Sequence, residues 1–254
     1  MATLALILLP WIVSILAFGL VEWQWKEPLL YPWPLLVPIA LHIFAAVMIG
    51  MRRLPWKEML EKMGPSALAM MSMAFAFLLI EGTVMHLILG VLFAGISLLT
   101  LKLFFFLCFD AARYPVNAIS RVNLALMPLT AFFLAWGMAG LTVFMRLPWY
   151  ATLPVFAGVC ALFYYWTAHP TATASTRWQW AAIGAFIGLQ VGILVQLLPI
   201  SMEVQGVVAA FMTALPLRVR RYGYQPRPSH RVAWVEGGLA VTAYVGALIF
   251  ARWA

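Results

Sequence analysis

Charge is what this sequence has least of. Only 9% of its 254 residues are charged, against roughly 25% in soluble proteins. Acid is scarcer still, with eight carboxylates in the whole chain and a single aspartate, Asp110. So thin an inventory argues against phosphate chemistry built on several carboxylates around a divalent ion. The two cysteines, Cys108 and Cys160, lie far apart in apolar runs. They form no zinc or redox spacing and read as small buried apolar side chains. The four histidines are scattered at His42, His86, His169 and His230. A haem held between helices needs two histidines at one depth, and the expected depths of His42 and His86 differ by about 12 Å. The one intramembrane lysine, Lys102, lies in the fourth span, away from the late helix that a retinal Schiff base would need. No glycine-flanked serine accompanies a plausible histidine partner for hydrolysis. No cofactor and no metal is expected, and an enzyme is the least supported class.

What the chain has instead is apolar length. Hydrophobic residues make up 65% of it and its mean hydropathy is +0.96, and runs long enough to cross a bilayer recur throughout. The expected fold is all-α: a polytopic integral membrane helical bundle, forming a single transmembrane domain over 1–254. Apolar runs and their breakers give about nine transmembrane helices, at 3–21, 32–51, 66–81, 84–107, 121–144, 149–167, 178–198, 201–217 and 232–252. The run 66–107 is twice the length of a normal span and is broken at Glu81–Thr83. The eighth span is short, bracketed by Pro199 and Pro216. The first lacks a basic n-region and a small-residue cleavage site, and reads as a retained membrane helix. "LPWKEMLEKM" places Trp56, Met59, Leu60 and Met63 on one helical face, so an interfacial amphipathic helix is expected at 55–63.

Lysine and arginine accumulate in cytoplasmic loops, which tests the count. With nine crossings, a cytoplasmic N-terminus and an outside C-terminus, twelve of the 16 basic residues fall on inner segments. These include Arg52, Arg53, Lys57, Lys62, Arg113, Arg121 and the arginines of "RVRRYGYQPRPSHR". Only Lys26, Arg146 and Arg252 fall outside. The net charge of +8 then points to anionic lipid head groups at the cytoplasmic face rather than to nucleic acid. The expected location is a bacterial-type cytoplasmic (inner) membrane.

"DAAR", Asp110 to Arg113, shares four residues with the signature of the CDP-alcohol phosphotransferases, which carries further aspartates and glycines downstream. "YPVNAISRVNLAL" follows here, with no aspartate, so the metal ligands are missing and the match is rejected. Asp110 and Arg113, spaced i, i+3, are expected to pair on one helical face where the fourth span leaves the lipid.

Lipid gives helices no hydrophobic reward for associating, so small residues must let them approach. Gly184, Gly188 and Gly192 recur every four residues in the seventh span. Gly206, Ala210 and Ala214 repeat the device in the eighth, Gly238, Thr242 and Gly246 in the ninth, and Ala131, Ala135 and Ala139 in the fifth. Spans seven to nine are expected to form a tight sub-bundle.

Polar groups inside the membrane are the remaining functional candidates. Glu81, His86, Gln196 and Glu203 are expected near the outer ends of spans three, four, seven and eight. Converging, they would line an outward-facing vestibule that binds a cation or exchanges protons; singly, each caps a helix end. His42 and Gln190 are expected deep in the bundle as interhelical hydrogen bonds, and Lys102 near the inner surface with Glu236 as a partner. Two readings follow: a non-catalytic subunit or scaffold that meets a membrane-protein partner or a second copy, and a transporter or lipid-handling protein.

Overall fold

The structure is a computed structural model that describes residues 2–167 and 173–223, with seven single positions between 234 and 249. The expected span 232–252, with Glu236 and Gly246, falls outside the described residues apart from those positions. Every described element is helical: α1 (Ala2–Lys26), α2 (Trp33–Gly50), α3 (Trp56–Ala76), α4 (Thr83–Phe109), α5 (Ala118–Phe144), α6 (Trp149–Trp166), α7 (Ala174–Leu197) and α8 (Met202–Gly223). Single 3-10 turns at Pro28–Leu30 and Phe77–Leu79 precede α2 and follow α3.

Among the described residues six stretches are long and apolar enough to cross a membrane: Ala5–Lys26, Trp33–Gly50, Trp56–Leu79, Thr83–Phe109, Ala118–Phe144 and Ala174–Leu197. Met202–Leu217 is a shorter apolar helix. Side chains are distributed as they are in lipid rather than in water. Leu8, Trp11, Ile12 and Ile15 of α1 are exposed, while Ser66, Ser97, Thr100 and His42 are buried. Water would drive that arrangement the other way.

The chain divides into two compact units, Met1–Leu126 and Met127–Ala254, with the boundary inside α5. In the first unit α1 packs on α2 and α4, and α2, α3 and α4 pack on one another. Its core joins Val13, Ala45, Ile49, Met59, Met63, Leu101 and Phe104. The short links put the α2–α3 turn and the α4–α5 loop at one end, with Arg52, Arg53, Lys57, Lys62, Arg113 and Arg121. The opposite end carries Glu22, Glu27 and Glu81 with Lys26. In the second unit α7 packs on α6 and α8, around a core that includes Leu134, Met138, Phe156, Val191, Val195 and Val208.

The long apolar run 66–107 is two helices. Ile80 and Gly82 are extended, and they separate the 3-10 turn from α4. The stretch 55–63, by contrast, is no separate interfacial helix. It is the first third of α3, which runs unbroken through Gly64 and Pro65. Met59 and Met63 are buried in the core, while Trp56 and Leu60 are exposed. Proline removes one backbone donor and crowds the carbonyl four residues before it. Beside it, Asn123 Nδ2 donates to the Lys62 carbonyl at 3.0 Å, and Ser66 Oγ donates to that of Met63 at 2.8 Å. The Asp110–Arg113 pair does form, at 3.3 Å. It spans the turn after α4 rather than a helical face, because Asp110 already caps the helix.

The glycine stripe of α7 fits against α6. A Cβ on Gly184 would lie 2.7 Å from Tyr164, one on Gly188 2.8 Å from Cys160 Cβ and 3.0 Å from the Ala157 backbone, and one on Gly192 2.9 Å from Leu153. Gly206 of α8 meets α5 instead, where a Cβ would stand 2.9 Å from the Phe132 carbonyl oxygen. Ala210 is half-buried, and a Cβ on Gly238 would meet nothing within 4 Å. The seventh span therefore spends these three glycines on the sixth.

Gly188→Val should lower the thermal midpoint of the detergent-purified protein sharply, because Ala157 backbone cannot give way. Gly95→Ala, with nothing within 4 Å, should leave it unchanged or raise it. Equal effects of the two would show that the close α6–α7 approach does not matter.

Candidate functional site

Two buried histidines in the first unit gather most of its polar chemistry. His42 lies in the middle of α2, nine residues from its start and eight from its end. It is 0% exposed. Its Nδ1 is 3.0 Å from Ser97 Oγ of α4, and its Nε2 is 2.9 Å from Ser66 Oγ of α3. Because the single Ser66 hydroxyl proton goes to the Met63 carbonyl, Ser66 must accept from His42 Nε2–H. Nδ1 is then the acceptor, and Ser97 donates to it. The chain Ser97, His42, Ser66, Met63 carbonyl runs in one direction across α4, α2 and α3. Both ring nitrogens are occupied, so the imidazole works as a tie between helices.

His86 is different. It stands three residues into α4 and is 2% exposed. Its Nε2 donates to the Val21 carbonyl of α1 at 3.3 Å, which leaves Nδ1 as an acceptor. That atom has no partner among the described residues, nor does Glu22 Oε1, which stands 3.9 Å from Nε2. The ring lies 4.5 Å from that of Trp25 and 5.2 Å from that of Phe77, centre to centre. Gly90 makes room, since a Cβ there would lie 3.3 Å from Glu22 Oε1. His86 Nδ1 and Glu22 Oε1 are thus two buried acceptors without a hydrogen-bond partner among the described residues.

The other candidates are described each within its own unit, Glu81 and Lys102 in the first and Gln190, Gln196 and Glu203 in the second. Glu81 is exposed in the link before α4, and Glu203 is exposed in the first turn of α8. Both stand at helix N-termini, where negative charge is favoured. Gln196 lines a cavity of about 10 Å³ with Thr152, Leu153 and Phe156, room for about one water molecule. Lys102 is exposed, with Nζ 5.3 Å from the Trp11 ring centre and 6.0 Å from that of Phe106. Gln190 is on the exposed side of α7, not in its packed interior. Among the described residues no group of three or more His, Cys, Asp and Glu side chains is placed to hold a metal.

Glu22 and Gln205 were not anticipated from the sequence. Ending the first span at residue 21 places Glu22 in water, whereas α1 continues to Lys26. Gln205 Nε2 lies 3.3 Å from the carbonyls of Leu198 and Ile200, across the link from α7 to α8. Pro199, which ends α7, was the available signal that free carbonyls would need a donor. No known family model matches the chain, and neither does any curated protein or solved structure.

His42→Leu should destabilise the purified protein by about 1–3 kcal/mol, the usual cost of a broken buried hydrogen bond. Ser97→Ala should cost less in that background than in the wild type. Strict additivity in thermal unfolding would show that the two side chains are not coupled.

Proposed function

We propose that this chain is a non-catalytic multi-pass membrane protein that serves as a subunit or scaffold of a membrane complex. The observation that carries this reading is the use made of His42. The one histidine at mid-depth in the described helices has both nitrogens engaged by serines of neighbouring helices, a use that gives rigidity rather than reactivity. The other charged candidates stay at the surface, Arg113 pairing with Asp110 at 3.3 Å and the exposed Lys102 lying over the Trp11 ring. In this reading the chain crosses nine times, from a cytoplasmic N-terminus to an outside C-terminus, in a bacterial-type cytoplasmic membrane. The basic end of the first unit then faces the cytoplasm and anionic lipid head groups, and its acidic end faces outward.

Extraction into lipid nanodiscs followed by native mass spectrometry should recover the chain with a second membrane protein or a second copy of itself. Cysteines placed at Val116 and at Ala254 should label from the inner and the outer side respectively. A solitary monomer that moves a solute in proteoliposomes would defeat the scaffold reading, and labelling of both positions from one side would defeat the nine crossings.

A transporter is the second reading, and the unanswered acceptors of Glu22 and His86 favour it. Such a pair suits a proton or another small donor in transit. If it works in that way, proteoliposomes should show a proton flux that Glu22→Gln and His86→Gln each abolish while leaving yield and thermal midpoint near wild type. Flux that survives both substitutions would remove the pair from any transport path.

A further inference from the structure

The helix α7 has two faces, and the described helices of its own unit use only one. Gly184, Gly188 and Gly192 face α6, where added methyl groups would clash. At about 100° per residue, the opposite side carries Ile183, Phe186, Gln190, Ile193 and Leu197. These recur at alternating intervals of three and four, the spacing of a helix–helix seam. Phe186 is 60% exposed and Leu197 67% exposed, and no other helix among the described residues of the unit covers them. Apolar side chains there need nothing but lipid. Gln190 is the exception. It is exposed near the middle of the apolar stretch 181–195, and its amide has no hydrogen-bond partner among the described residues.

A primary amide facing hydrocarbon leaves two donors and an acceptor unanswered, and it is too short to reach the head groups from mid-span. It also carries both halves of its own hydrogen bond. Two copies of α7 related by a two-fold axis would bring the amides together, each donating to the other. A single polar residue in an otherwise apolar seam is also the device that fixes register and partner number between paired helices. We propose that the Ile183–Phe186–Gln190–Ile193–Leu197 face of α7 is a self-association surface, closed by a second copy of this chain through paired Gln190 amides. The inference deepens the scaffold reading by naming a partner and rests on it only in that respect.

The test is single-molecule photobleaching of the labelled full-length chain in phosphatidylethanolamine–phosphatidylglycerol vesicles, over a range of protein densities. The wild type should show a density-dependent dimer. Gln190→Leu should weaken it about tenfold, and Gln190→Asn, which keeps the amide, should retain most of it. Gln190→Cys should form a disulfide-linked dimer on oxidation, and Val91→Cys, exposed on α4, should not. A wild type that stays monomeric at every density overturns the proposal. So does a dimer indifferent to Gln190→Leu, or a Gln190→Cys adduct formed within one chain. A monomer that still co-purifies with a foreign membrane protein overturns self-association but leaves the scaffold reading standing. A Gln190-dependent dimer that moves a solute supports the proposal and defeats the scaffold reading.

Discussion

Hydrocarbon offers no hydrogen bonds, and most of this molecule follows from that. A peptide group that loses its helical partner must find another within the protein, because lipid leaves it unanswered at a cost of several kcal/mol. The chain carries sixteen prolines, several inside helices, so the constraint bites often. Beside Pro65 the carbonyls of Lys62 and Met63 accept from the side chains of Asn123 and Ser66. After Pro199 the carbonyls of Leu198 and Ile200 are recovered by Gln205. In each case a proline that reads as a helix breaker is paired with a polar residue that would otherwise look like a functional group. Many of the few polar side chains of the spans bond backbone carbonyls, as Ser72, Thr100 and Thr213 also do, and only the remainder are candidates for chemistry.

The two units solve the association problem differently. In the second, close approach does the work. The glycines of α7 let it meet α6 at distances that no added methyl would tolerate, and dispersion and excluded lipid supply the attraction. The first unit has no such stripe. It ties α2, α3 and α4 together through His42, with the bulky Phe104, Met59 and Met63 filling the surrounding space. A polar tie is directional, so it fixes rotation and depth as well as contact. A glycine stripe fixes distance but permits sliding, and the Tyr164 hydroxyl, donating to the Thr213 carbonyl at 3.0 Å, adds a directional link between α6 and α8.

The sequence made much of this legible and misplaced the rest for identifiable reasons. The helical fold, the break between α3 and α4 and the packing role of the glycines could all be read from local pattern. Which helix those glycines would meet could not, since a small residue announces closeness and not a partner. Charge misled twice. The alternation in "LPWKEMLEKM" resembles a surface helix, yet a transmembrane helix emerging at a basic membrane face shows the same alternation over its first turns. "VEWQWKEP" resembles a loop because it is polar, yet α1 runs helical to Lys26 and sets Glu22 and Trp25 beside His86. Gln190 misled in the opposite sense. A lone amide in an apolar run suggests an internal contact, and periodicity alone cannot say on which side of a helix the neighbours will stand.

His42 and His86 together separate structure from function more sharply than either does alone. Both are buried histidines on membrane-length helices, and composition does not distinguish them. At His42 every polar atom is answered, so a change there costs stability and gains nothing chemical. At His86 an imidazole nitrogen and a carboxylate oxygen are buried without partners, and an unanswered acceptor in a low-dielectric setting costs free energy. The first unit thus contains one site that explains itself and one that does not, and any chemistry this chain performs is most economically sought at the second.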